Sequence, residues 1–215
     1  MTDNEDSENI TDTEFAKKAS AHIEPILKYL DTEDIIIDNE KIIELFVKLW
    51  EYEDGEHLDA ATQKLTILGL FIYTTHNVLE DYNIRMDRAR QHITHALHEW
   101  MKPNMDKAIT EEKTSNNPFK AFVDSNQKNI DDVFSWEHFM PDVKKATEVE
   151  LNLKLKKCWF AEFFIRFGRV DYIPTACEFD KIPWDARKDY VDLKLTNLFA
   201  KLGTMCQFKY TPAKD

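Results

Sequence analysis

The periodicity of the apolar residues changes near Thr147, and this change restricts the chain to a fold that contains both helices and a sheet. Before it, apolar residues recur every three or four positions, as at Ile42, Phe46 and Trp50, which is the spacing of an amphipathic helix. From Val149 to Leu155 apolar and polar residues alternate, which is the spacing of a half-buried strand. The sequence therefore predicts an α+β fold, with an N-terminal helical lobe packed on a C-terminal antiparallel sheet that carries a cysteine-bearing helix.

Three segments follow from this pattern. We predict a disordered acidic tail over residues 1–13, a helical lobe over 14–146 and an α+β catalytic-like core over 147–215. The lobe and the core are expected to form one compact unit, because 215 residues suit a single domain of ordinary size. Within the lobe, Leu65–Leu79 is apolar on nearly every side and is predicted to be the most buried helix.

Capping residues indicate where elements begin and end. Pro103 and the polar residues after it predict that a helix ends near Lys102 and that a polar connection follows as far as Asn117. Asn117 and Pro118 suit the N-cap and the first position of a new helix, and a short helix is predicted near Val133–Phe139.

The core is predicted to end in a β-hairpin. A helix from Trp159 to Phe167 is expected to be capped by Gly168 at its C-terminus. Val191–Leu198 and Met205–Tyr210 are then expected to be strands, joined by a turn at Leu202-Gly203-Thr204.

Charge and hydropathy exclude several classes of protein. The chain has 28 Lys+Arg against 40 Asp+Glu, a formal charge of −12, which disfavours binding to nucleic acid or to an anionic membrane surface. The longest apolar stretch, Leu65–Tyr73, is far shorter than the roughly 20 residues of a membrane-spanning helix. Met1–Thr13 lacks the basic residues of a targeting peptide, so a cytoplasmic location is expected. A small-molecule substrate is the expected partner, and the chain could also form a homo-oligomer.

The cysteines are the first candidates for chemistry. Cys158, Cys177 and Cys206 all lie in the last 58 residues, and their odd number and wide spacing do not suit a disulfide scaffold. A nucleophilic thiol needs a lowered pKa, which Cys158 could obtain from the start of a helix and from the two lysines before it. Cys177 lies beside carboxylates, which would raise its pKa unless Arg166, Arg169 or Arg187 folds close. Each cysteine has the alternative role of a buried structural thiol.

A second candidate is a histidine-rich segment. His95, His98 and Glu99 would neighbour one another on a helix and could bind zinc or iron, with His92 one turn away. Apolar neighbours already supply a buried face, so a solvated polar face is the preferred interpretation. No metal and no other cofactor is predicted.

The order of several residues in the core resembles the motif of a known family. The run from Cys158 to Tyr210, about a quarter of the chain, has a cysteine opening a short helix that ends in glycine, then Cys177-Glu178-Phe179-Asp180, then a glycine turn before Cys206-Gln207-Phe208-Lys209-Tyr210. This order resembles the L-2-amino-thiazoline-4-carboxylic acid hydrolase family, over about residues 149–210. The chain has Lys194 where the family usually has an arginine shortly before a threonine, here Thr196, which weakens the expectation of a bidentate carboxylate contact.

The resemblance implies a hydrolase that opens a small cyclic amidine or thiazoline by breaking a carbon–nitrogen or carbon–sulfur bond. Cys177, Asp180 and Cys158 are the expected catalytic residues, with Asp180 as amidinium partner or base and Cys177 as nucleophile. The expected substrate-binding residues are Thr196, Cys206 and Lys194. Asp180 has the alternative of a turn or cap residue, and Cys206 that of a packing residue. The alternative function is a non-catalytic small-molecule-binding or sensor domain of four-vinyl-reductase type.

Overall fold

A computed structural model describes residues 13–30, 36–201 and 203–214. The predicted acidic tail therefore lies almost wholly outside the described residues, as does Leu202 of the predicted turn. Contacts divide the chain into two compact units, Met1–Trp100 and Met101–Asp215. The predicted boundary near Thr147 thus falls inside the second unit, close to the point where helices give way to strands.

The first unit is helical throughout its described part. Its helices are α1 (Glu14–Ser20), α2 (Glu24–Leu27), α3 (Asn39–Tyr52), α4 (Ala60–Asp81) and the first part of α5 (Met86–Lys113), with a 3-10 helix at Gly55–His57. Asp38 and Asp59 cap α3 and α4 by accepting hydrogen bonds from backbone N–H groups of the first turn. The prediction for Leu65–Leu79 is confirmed, because nearly every residue of α4 from Gly69 to Leu79 is buried.

The second unit contains the remaining helices and all the described strands. Its helices are the second part of α5, then α6 (Pro118–Val133), α7 (Trp136–Phe139), α8 (Trp159–Arg166), α9 (Ile173–Phe179) and α10 (Ile182–Asp185). Its strands are β1 (Pro141–Thr147), β2 (Glu150–Leu155), β3 (Val191–Thr196) and β4 (Cys206–Pro212). This composition confirms the predicted α+β class.

The four strands form one antiparallel sheet in the order β1-β2-β4-β3. On one face Leu151, Phe208 and Val191 are buried, and α6 covers this face with Phe119, Phe122 and Val123. The other face is polar, as the alternation in β2 predicts. The predicted hairpin is confirmed, since β3 and β4 are neighbours.

Predictions from capping residues have mixed outcomes. The N-cap at Asn117 is confirmed, because its side chain accepts a 3.0 Å hydrogen bond from the Lys120 N–H. The predicted helix end near Lys102 is wrong: α5 continues through Pro103 to Lys113. Proline disfavours a helix interior, but Met105 and Glu112 are buried beyond it, and their packing holds this part of the helix.

The predicted cap at Gly168 is confirmed. This residue follows α8 with φ +69°, a left-handed conformation that glycine adopts without strain. The Arg169 N–H then reaches back to the Phe164 carbonyl at 2.8 Å. Among the described residues, no helix has both the length and the apolar character needed to cross a bilayer.

Candidate functional site

Two strand ends position two of the cysteines. β2 ends at Leu155, and Cys158 follows three residues later as the N-cap residue of α8. In the register of the sheet, Leu155 lies opposite Cys206, the first residue of β4. The strand pairing therefore brings Cys158 and Cys206 to the same end of the sheet, although they are 48 residues apart in sequence.

Helix α9 supplies the other members of the site. Cys177 lies in its last turn and Asp180 is its C-cap residue, so the two side chains are three positions apart and lie on one side of the helix. α9 packs against α8 and against the short 3-10 helix Phe199–Lys201 that precedes β4. We refer to Cys158, Cys177, Asp180 and Cys206 as the cysteine–aspartate cluster.

The strand register and the packing of α9 bring these four residues close enough for their charges to act on one another. Besides burial, which is the largest cause, the negative charge of Asp180 raises the pKa of each of the three thiols, and Cys206 also raises the pKa values of Cys158 and Cys177. The structure thus brings together residues from the N-terminus of α8, the end of α9 and the start of β4.

Burial has the largest effect on the thiols. It raises the pKa of Cys177 to about 12 and that of Cys206 to about 11, and it raises the pKa of Cys158 even further. The backbone amide of Ala161, at the start of α8, acts on Cys158 in the opposite direction but is outweighed. The expectation that Cys158 obtains a lowered pKa is therefore wrong, and at neutral pH all three thiols are protonated in the free protein.

Asp180 is the acidic group of the cluster. Burial raises its pKa to about 7, although the residue keeps part of its surface accessible to solvent. In the described part of the chain its carboxylate makes no hydrogen bond and no ion pair. A recessed carboxylate without a partner that is half ionised at neutral pH is suited to binding a cation or to accepting a proton.

Tyr210 extends the cluster along β4. Residues 206, 208 and 210 lie on the same face of the sheet, and the ring of Tyr210 makes an edge contact with Phe122 at 5.3 Å. Burial raises the pKa of the Tyr210 phenol, the charge of Asp180 raises it further, and the charge of Arg187 lowers it. The aromatic position after Cys206 was part of the sequence motif, but nothing in the sequence alone predicts that it lies close to Asp180.

Arg187, whose charge acts on Tyr210, belongs to a buried ion pair. It donates two 2.8 Å hydrogen bonds to Glu112 and a 2.7 Å hydrogen bond to the Pro183 carbonyl, and Tyr190 also donates to Glu112. Glu112 and Arg187 are 5% and 6% exposed. The arginine is thus near Tyr210, but its charge is already neutralised.

The structure does not bring Lys194 and Thr196 to the cluster. Both lie on β3, where Lys194 pairs with Lys209 and Thr196 with Gln207. Paired residues share a face, so both lie on the polar face of the sheet, opposite the face of Cys206 and Phe208. Lys194 is exposed there.

The histidine-rich segment belongs to the first unit. His95 is exposed, and His98 lies 3.0 Å from Glu99 through its Nδ1 atom. In the parts of the chain that the structure describes, no three His, Cys, Asp or Glu side chains are arranged to hold a metal ion.

Comparison with solved structures gives two distant likenesses. The unliganded Fe(II) H-NOX protein from K. algicida has a TM-score of 0.39 and 7% identity, over 89% of this chain and 96% of that chain. A mutant of the same H-NOX protein has a TM-score of 0.37 and 10% identity, over 96% of both chains. These scores are too low to support an inference about fold or function.

Comparison with known families gives a more extensive match. The model of the family described as L-2-amino-thiazoline-4-carboxylic acid hydrolase matches residues 70–210. This range covers about two thirds of the chain and includes all four residues of the cysteine–aspartate cluster. No curated protein matches the chain.

Proposed function

Because the chain belongs to the L-2-amino-thiazoline-4-carboxylic acid hydrolase family, we propose that it opens a small cyclic amidine of the thiazoline type by hydrolysis. The observation that carries this proposal is the recessed carboxylate of Asp180, which has no partner within the described residues and a pKa of about 7. A protonated amidine is a flat cation with N–H donors, and a carboxylate complements both its charge and its hydrogen bonds.

The reaction begins at the ring carbon between sulfur and nitrogen, which is the most electron-poor atom of an amidine. In the direct route, the oxygen of a water molecule bonds to this carbon while Asp180 accepts the water's proton. The tetrahedral intermediate then collapses as the ring carbon–sulfur or carbon–nitrogen bond breaks. The electron pair leaves with sulfur or nitrogen, which takes back the proton, so one water is consumed and no redox step is needed.

A covalent route through Cys177 uses the same aspartate. Here the sulfur of Cys177 attacks the ring carbon, the ring bond breaks, and water later hydrolyses the enzyme adduct to restore the thiol. Since burial keeps the thiol protonated, Cys177 must lose its proton during the attack, and Asp180 is the nearby base that can accept it. Cys158 would serve as a neutral hydrogen-bonding group or as a proton donor to the leaving atom. Cys206 would line the binding site without taking part in the reaction.

The proposal is tested by following ring opening of 2-amino-2-thiazoline and its 4-carboxylate by mass spectrometry. Asp180→Asn should lose at least about 100-fold in rate, as expected when a general base is removed. Asp185→Asn is the matched control, because its carboxylate pairs with Lys188 at the surface and should be dispensable. Cys177→Ala separates the routes: activity survives if water attacks directly and is lost if an adduct forms. Equal rates for parent and Asp180→Asn would refute the proposal.

One observation favours a second function, that of a non-catalytic binding module. Three protonated thiols with raised pKa values are poor nucleophiles, as expected for a site that holds a small molecule without reacting with it. The same experiment distinguishes the two functions. A binding module would bind the thiazoline in an Asp180-dependent manner but return it unchanged.

A further inference from the structure

The end of helix α9 places two opposite charges next to one thiol. Asp180 lies three positions after Cys177, and Lys181 lies four positions after it. The backbone stays right-handed and helical through both residues, with φ −61° and ψ −20° for Asp180 and φ −86° and ψ −21° for Lys181. Residues three and four positions apart on a helix are neighbours on one face, so Asp180 and Lys181 both neighbour Cys177.

An electrostatic effect agrees with this placement. Burial is the main cause of the raised pKa of Cys177, and Asp180 adds to it, whereas the charge of Lys181 acts in the opposite direction. Lys181 therefore stabilises a negative charge beside Cys177.

The partner of Lys181 in the structure is a surface carboxylate. Its Nζ atom lies 2.7 Å from Oε1 of Glu178, and the side chains of Lys181 and Glu178 are 27% and 40% exposed. Pairs of this kind contribute little to stability, because water solvates both charges and the long side chains lose freedom when they pair. A ligand carboxylate can therefore replace Glu178 at the cost of one weak contact.

Two other basic residues are less suited to binding a ligand carboxylate. Arg187 is buried and holds both carboxylate oxygens of Glu112 at 2.8 Å. A ligand that took its place would leave a buried carboxylate without a counter-ion. Lys194 lies on the opposite face of the sheet from Cys206. Of these three basic residues, Lys181 alone is both next to the cluster and held by a weak partner.

Resting on the proposed function, we infer that Lys181 binds the ring carboxylate of a 2-amino-thiazoline-4-carboxylate and makes the site prefer carboxylated substrates. The substrate lies across Cys177, with its amidinium on Asp180 and its carboxylate on Lys181. Such a zwitterion carries its two charges on one small ring, which suits side chains about 5–6 Å apart at their Cβ atoms on a helix. The ammonium donates a charge-assisted hydrogen bond, which is stronger than one between neutral groups.

The inference is tested by titration calorimetry of the full chain at pH 7.5 with 2-amino-thiazoline-4-carboxylate and with 2-amino-2-thiazoline, which lacks the carboxylate. Lys181→Ala should weaken binding of the carboxylated compound at least about tenfold, as expected for the loss of a hydrogen bond between charged groups. Its affinity for 2-amino-2-thiazoline should stay within about twofold of the parent's, which also shows that the variant is folded. Lys181→Arg keeps the charge and should bind the carboxylated compound more tightly than Lys181→Ala does.

Two further variants separate a direct contact from a general effect of charge. Glu178→Gln removes the competing carboxylate, so it should strengthen binding of the carboxylated compound, the opposite sign to Lys181→Ala. Lys188→Ala is the matched control, because Lys188 also forms an i,i+3 pair at the surface, with Asp185, and both affinities should stay as in the parent.

Several outcomes overturn the inference while leaving the hydrolase proposal intact. They are an unchanged affinity for the carboxylated compound in Lys181→Ala, an equal loss for both compounds, and an equal loss in Lys188→Ala. A parent protein that binds only 2-amino-2-thiazoline has the same consequence, as does unchanged or weaker binding of the carboxylated compound in Glu178→Gln. If the parent binds neither compound, the proposed function fails together with the inference.

Discussion

Arg187 and Glu112 form a buried, doubly hydrogen-bonded ion pair between residues that are 75 positions apart in the sequence. The pair joins the last turn of α5 to the segment between α10 and β3. Tyr190 donates a further hydrogen bond to the same carboxylate. Arg187 also lies over the ring of Phe122, 5.6 Å from its centroid, and Phe122 makes an edge contact with Tyr210, so this ion pair packs beside the candidate site.

Breaking this pair on one side should be costly. Glu112→Ala leaves the Arg187 guanidinium buried without its counter-ion, and we expect a loss of about 3–5 kcal/mol in the free energy of unfolding, measured by urea denaturation. Lys113→Ala, which removes an exposed ion pair with Asp189, is the control and should cost less than about 1 kcal/mol. A small effect of Glu112→Ala would show that the pair contributes little to stability.

Asp180 is expected to reduce stability at neutral pH. Its pKa is raised in the folded state, so the unfolded chain releases this proton first, and the folded state loses stability as the pH rises from about 4 to about 7. Asp180→Asn removes this penalty and should raise the unfolding temperature at pH 8. The gain should shrink toward zero as the pH falls to about 4 and below, where the aspartate becomes protonated in both states. A gain independent of pH would contradict a raised pKa.

The thiols of the cluster should react slowly. At pH 7.5 we expect Cys158, Cys177 and Cys206 to be alkylated by iodoacetamide at least about tenfold more slowly than glutathione, because so little thiolate is present. In urea all three should react at ordinary rates, which controls for the reagent. A single fast-reacting cysteine in the folded protein would instead indicate an activated nucleophile.

Gly168 allows a test of backbone conformation alone. Its φ of +69° is strained for residues with a side chain, yet nothing lies within 4 Å of where a Cβ would be. Gly168→Ala should therefore cost about 1 kcal/mol by urea denaturation, and Gly168→Asn should cost less, because asparagine tolerates this conformation better. Equal losses for the two variants would point to a lost contact rather than to strain.

Local patterns predicted the elements with the clearest periodicity. The alternation around Leu151 and the glycine at position 168 identified β2 and the end of α8. β1 was missed because its sequence, PDVKKAT, lacks regular alternation, and the register shifts between Val143 and Lys145. The continuation of α5 past Pro103 depends on tertiary packing, and rules based on local sequence do not take tertiary contacts into account.

The sequence predicted which residues form the candidate site better than it predicted their chemical properties. Motif resemblance selected the cysteines and Asp180, and the register of β2 with β4 then explains why two of them meet. The direction in which the thiol pKa values shift depends on burial, and the face of the sheet on which Lys194 lies depends on strand pairing. Neither can be read from a local sequence pattern. The partner of Arg187 could not be read from the sequence, because Glu112 is one of 40 acidic residues.

The proposed role of the Asp180 carboxylate in binding the substrate is most directly tested by the pH dependence of ligand affinity. The affinity of 2-amino-2-thiazoline is measured by titration calorimetry at about pH 5.5, 6.5 and 7.5 for the parent and for Asp180→Asn. Affinity for the parent should rise with pH as Asp180 ionises near pH 7, and the variant should bind weakly at every pH. Equal affinities for the two proteins, with no dependence on pH, would contradict the role given to Asp180.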